Sequence, residues 1–230
     1  MTIIFKTNDL EIKKNKNLFF LTLMENKKYD EKFIKSLKNL ELKKNARNKY
    51  SFQAEIVIPF KNFLINNNNK LSYTHLVSLF LSLRRQIELL KNENIGILYF
   101  DLNSILVVKN DTYYDFYYMN TNMLFEVSNN ILKIDKVFNK NEKINETFLS
   151  PELIIINKIP SVSYFTCCYF SLAILVAFCI NGNNLDYFKT HDWCEDDLKK
   201  IMEPIHSTKL FYALERASNL EPEKRYLLWI

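Results

Sequence analysis

Residues 96–108, GILYFDLNSILVV, are the stretch whose reading decides the fold. Gly96 follows the polar KNEN of residues 91–94 and marks a break before a strand-rich region. Asp101 falls in a loop, where a short carboxylate serves best as a local hydrogen-bond acceptor. Beyond it, SILVV and TYYDFYYM read as the arms of a hairpin around KND. Alternation along the second arm assigns Asp115 to an exposed position. NILKI, residues 130–134, supplies a further strand.

On the N-terminal side of this stretch lies a helix. Ser72 or Thr74 can cap it, and Leu76, Leu79, Phe80, Leu83, Ile87 and Leu90 give a broad apolar face through residue 91. Arg84, Arg85 and Glu88 belong to its exposed face. On the C-terminal side, residues 135–147 are polar and loop-like. Residues 166–180 are apolar on nearly every side, which predicts a helix at the centre of a lobe. Its core, YFSLAILVAFCI, is shorter than the roughly 20 residues that span a bilayer, so no membrane span is expected. Two further helices are expected over 195–202 and 207–219. Glu195, Asp196 and Asp197 suit the positive end of the first.

Residues 1–57 read as short strands around one helix. TIIF and LFFLTLM are strand-like, and SFQAEIVI is read as one more strand ended by Pro59. YDEKFIKSLKNL places Phe33, Leu37 and Leu40 at helical spacing. LINNNNKL reads as a polar loop or helix terminus with a solvated Asn run.

Composition sets the outer bounds. The chain has 230 residues, 48% of them hydrophobic, with a formal net charge of +5. That mild charge identifies no partner class. Of the four cysteines, Cys167, Cys168 and Cys179 fall in the apolar helix and read as buried thiols. With Cys194 they form neither a zinc ribbon nor a disulfide framework, which favours a reducing compartment. His75, His191 and His206 form no ligand cluster. Glu11 and the following KKNKN interrupt any secretory signal.

The order of GILYFDLNSILVV, FLSPEL, YFTCCYFSLAILVAFCI and LEPEKRYLL resembles the C-terminal lobe of a protein kinase. The resemblance implies an α+β, two-lobed protein kinase-like fold, with a reduced strand-rich N-terminal lobe over 1–58 and a mainly helical lobe over 59–230. YFDLNSILVV resembles the catalytic-loop motif HRDLKPENILL. The match puts Tyr99 at the general-base Asp and Ser104 at the metal-binding Asn, and neither residue can replace that chemistry. Asp101 is the alternative base, but its metal ligand would then fall on Leu106. MNTN, residues 119–122, stands where DFG is expected, leaving Asn120 as a weak candidate for metal contact. In the first lobe, Met24 falls at the phosphate-contacting Lys, and Lys35 and Ser36 at its partnering Glu. No glycine precedes Gly96, so no Gly-rich phosphate loop is present. SPE and EPEKR resemble the motifs whose acid and base lock the second lobe, implying a Glu152–Arg225 pair. In CCYFSLAILVAF, Cys168 and Ala173 replace the Asp and Gly of the central helix motif.

The resemblance therefore implies a catalytically inactive pseudokinase with no catalytic, cofactor-binding or metal-binding residues. It would act as a protein-binding scaffold and take no cofactor. Composition and family likeness point to giant DNA viruses, hence to host cytoplasm or virion. A divergent active kinase built around Asp101 is the second reading, favoured by Asp101, Asn120 and a Lys meeting at one cleft. Filling of that cleft by Phe100 and residues 113–118 would count against it. Nucleic-acid binding is a third reading, as is a structural virion role. Lys13, Lys14, Lys16, Lys27, Lys28, Lys43, Lys44 and Arg47 make the first region basic, either as a binding stripe or as a solvated face.

Overall fold

The computed structural model describes residues 1–24, 28–138, 148–181 and 195–229. The architecture is mixed α+β, β-rich at the N-terminus and mainly helical toward the C-terminus. Five antiparallel strands form the first sheet: β1 (Thr2–Lys6), β2 (Leu10–Asn15), β3 (Leu18–Leu23), β4 (Lys43–Ala46) and β5 (Lys49–Gln53). Their order is β1-β2-β3-β5-β4. Phe19, Leu21, Tyr50 and Phe52 point to its buried side. Between β3 and β4 runs α1 (Asp30–Ser36), which buries Phe33.

A three-stranded sheet follows, ordered β6-β8-β9, from β6 (Ile56–Pro59), β8 (Ile105–Asn110) and β9 (Tyr113–Tyr118). The third sheet contains β7 (Ile95–Ile97), β10 (Leu124–Ser128), β11 (Ile131–Ile134) and β12 (Ser161–Tyr164), in the order β12-β11-β10-β7. The expected hairpin around KND is β8–β9, and NILKI supplies β11. The single strand expected over residues 51–58 is instead two. The backbone leaves the first sheet after Gln53, and Glu55 N donates to Lys109 O at 3.1 Å, turning Ile56–Pro59 onto β8.

The helices are α2 (Phe60–Asn66), α3 (Tyr73–Asn92), α4 (Pro151–Ile154), α5 (Cys167–Asn181), α6 (Glu195–Met202) and α7 (Lys209–Ala217). Ser72 caps α3, its hydroxyl accepting from His75 N at 3.3 Å. Every residue of α5 from Phe170 to Ile180 is buried, and the helix packs against α3, α6 and α7. This surround explains why its sequence is apolar on all faces. Cys167, Cys168 and Cys179 are buried free thiols whose pKa burial pushes up. Cys194, His191 and Lys27 lie outside the described residues.

Two exposed-face expectations need correction. Asp115 is half-buried and accepts a hydrogen bond from the Ser82 hydroxyl at 3.2 Å. Arg84 is half-buried and pairs with Glu88 at 2.7 Å across one helical turn. The Asn run also has a structural task. Asn67 Nδ2 donates to Phe63 O at 2.8 Å, while Asn68 and Asn69 adopt φ of 54° and 60° to end α2. Asn129 and Asn130, at φ 53° and 59°, form the two-residue turn between β10 and β11. Asn tolerates this left-handed region better than most side chains. Among the described residues, no helix is long and apolar enough to cross a membrane.

Candidate functional site

The loop after β7 is braced from beneath by α5. Phe100 N donates to Ser171 Oγ at 2.8 Å, and Cys167 Sγ donates to Leu98 O at 3.4 Å. Cys168, where the resemblance expects an Asp, donates to Phe165 O. Bracing of the loop thus falls to its neighbours Ser171 and Cys167. Neither was given this role from sequence: Cys167 read only as a buried thiol, and Ser171 as a small residue of an apolar helix.

Within this loop, Asp101 is buried and faces inward on its own backbone. Its Oδ1 accepts from Asn103 N and Ser104 N, both at 2.9 Å. This is the local structural role expected of it, because the short side chain reaches the amides two and three residues ahead. Ser104 Oγ accepts from Asn120 Nδ2 at 3.1 Å, and Met119 N donates to Ser104 O at 2.6 Å. The two side chains in candidate metal-contact positions are therefore bonded to each other.

The turn between β1 and β2 comes down on the same place. Asp9, 3% exposed, accepts from Asn122 N at 2.8 Å and from Asn122 Nδ2 at 2.5 Å. Asn122 N also donates to Asn120 Oδ1 at 3.0 Å. Asp9 O in turn accepts from Met24 N, just after β3. These bonds join the first sheet to the 119–123 segment. Beneath the turn is a cavity of about 310 Å³, lined in part by Lys6, Asn8, Tyr99, Asp101, Ser104 and Asn120. Asp101, Asn120 and a lysine thus meet at one cleft. Phe100 does not fill it: its ring packs edge-on to Tyr118 at 5.1 Å, and both side chains are fully buried. Tyr113 is exposed to solvent.

Behind the cleft, Gln86 of α3 bonds both backbone groups of Tyr118. Its Oε1 accepts from Tyr118 N at 2.7 Å and its Nε2 donates to Tyr118 O at 3.0 Å. Nε2 also reaches Ser36 Oγ, and that hydroxyl donates to Phe33 O. Ser36 is thereby a buried link between α1 and α3. Lys35 lies outside with Glu93 at 3.5 Å, and Met24 is about half exposed. A Gln within the apolar face set by Leu83, Ile87 and Leu90 was the sequence signal for this link.

The Glu152–Arg225 pair forms as a bidentate bond. Arg225 Nη1 lies 2.5 Å from Glu152 Oε1 and Nη2 3.0 Å from Oε2. Arg225 is 3% exposed and also donates to Asn219 O and Leu220 O, with its guanidinium over the Phe170 ring. His75 packs against Phe63 and Tyr114, while His206 contacts Phe211 elsewhere. Among the described residues, no three His, Cys, Asp or Glu side chains cluster as a metal site.

No protein-family model and no curated protein matches the chain.

Proposed function

We propose that the chain is a kinase-like pseudoenzyme that acts as a protein-binding scaffold or regulator in viral infection, in host cytoplasm or virion. The observation that carries this reading is the Ser104–Asn120 hydrogen bond across the cleft. A kinase needs these positions free to hold magnesium, and a carboxylate at the second of them. Here an amide is satisfied by a hydroxyl, and Asp101 spends an oxygen on two backbone amides. The bidentate Glu152–Arg225 bond supports the same family likeness, because it joins the two motifs expected to lock the second lobe. With phosphate and magnesium contacts missing together, the retained helices and loops are what the protein offers a partner.

A divergent nucleotide-dependent enzyme is the rival reading. It draws on Lys6, Asp101 and Asn120 lining one cavity. A phosphotransfer assay with labelled ATP, magnesium and generic protein substrates separates the two. The scaffold reading expects no transfer above a no-protein blank. Transfer that disappears in Asp101→Asn would establish the enzyme instead.

A further inference from the structure

We propose that the outer face of the five-stranded sheet binds single-stranded nucleic acid. Strand register assigns the side chains. Lys13 lies opposite Phe20, Phe20 opposite Ser51, and Ser51 opposite Lys43, making one row across four strands. A second row on the same face runs from Lys6 through Glu11 and Thr22 to Lys49. The intervening row of Phe5, Ile12, Leu21 and Tyr50 is buried, so the lysine rows face away from the core.

Lys6, Lys43 and Lys49 are exposed, and Lys13 is half-buried. Glu11 is the acid within these rows, and Lys13 neutralises it at 2.6 Å. Three exposed cations therefore surround a half-buried aromatic ring, Phe20. Strands are spaced by about 4.8 Å, so Lys43 lies roughly 10 Å from Phe20 along the row. A base stacked on Phe20 would bring its neighbouring phosphates toward the exposed ammonium groups of Lys6, Lys43 and Lys49. Aromatic platforms with basic rims bind single strands in this way, with little dependence on sequence. A duplex hides its base faces and offers Phe20 nothing to stack on. Lys6 and Lys49 complete the face, although the sequence drew attention to other lysines.

Fluorescence anisotropy of a labelled oligodeoxythymidylate with the full chain, over a salt series, tests this. Expected is saturable binding whose logarithmic salt slope is about −2, taking about −0.7 for each neutralised phosphate. Lys43→Glu with Lys49→Glu should weaken binding at least tenfold and flatten the slope by about 1.4. Phe20→Ala should weaken it about five- to hundred-fold, and Phe20→Trp should retain it. Lys61→Glu on α2, outside this face, should change nothing. The proposal is overturned by no binding at low salt, by equal loss in Lys61→Glu, or by equally tight binding of a duplex. Preference for a polyglutamate peptide over the oligonucleotide would also overturn it, assigning the face to an acidic protein.

Discussion

Arg225 shows how much one side chain can commit in this protein. Its charge is buried, so its stability depends on Glu152 and the two carbonyls it reaches. Glu152→Ala should destabilise the fold by about 3 kcal/mol in urea unfolding, since a buried cation loses its counter-charge. Glu152→Leu with Arg225→Met should lose less than either single change, because nothing charged is left stranded. His75 makes the opposite case. Burial against Phe63 and Tyr114 lowers its pKa from the ordinary 6.5, and its Nδ1 is buried without a partner. The unfolded chain therefore binds the proton more readily than the folded one. Its contribution is present above pH 6.5 and is lost as pH falls from there through the lower folded value. The urea midpoint should drop between pH 7.5 and pH 5.5 in the native chain, roughly the range in which His titrates. His75→Phe should flatten part of that drop.

At the scale of elements, Gly96 is more than a break. It lies within β7, and a Cβ there would meet Val127 Cγ2 at 2.9 Å, with Leu132 and Phe165 at 3.0 Å. Three side chains, from β10, β11 and the link between β12 and α5, close on this backbone. Gly96→Ala should cost about 1–3 kcal/mol of unfolding free energy, the range for overpacking a filled core. A neutral result would show that the three neighbours can retreat.

The elements differ in how openly the sequence declares them. The helices α3 and α5 were legible because apolar residues repeat at helical spacing or fill every face. The β8–β9 hairpin was legible as two apolar and aromatic runs on either side of KND. The strands β2 and β4 were not, because LEIKKN and KKNA each carry two consecutive lysines that break the apolar alternation, and β4, at the sheet edge, buries nothing. SFQAEIVI hid a change of sheet, since no Gly or Pro separates its halves and only pairing with β3 or β8 tells them apart. The site was legible in the same uneven way. Asp101 and Ser104 declare their loop through neighbouring residues. Asp9 and Asn122 meet across 113 positions, and no local pattern announces such a contact.

At the scale of the molecule, the first sheet is tied to the 119–123 segment beside the cavity. The Asp9–Asn122 bonds tie the β1–β2 turn to the segment after β9, over the cavity. Asp9→Ala should raise amide exchange across residues 7–10 and 120–123 while leaving α5 protected. It should also cost about 1 kcal/mol, because the half-buried Asn122 donors lose their acceptor. Unchanged exchange would mean that the turn is held by its strands alone.

The central claim is that the polar groups of this cleft satisfy one another rather than a nucleotide and its metal. Isothermal titration of the folded chain with ATP, with and without magnesium, addresses it directly. The account predicts no saturable heat at millimolar ATP in either condition. Saturable binding that requires magnesium would contradict it, since Ser104, Asn120 and Asp101 would then have to release one another and turn toward the ion.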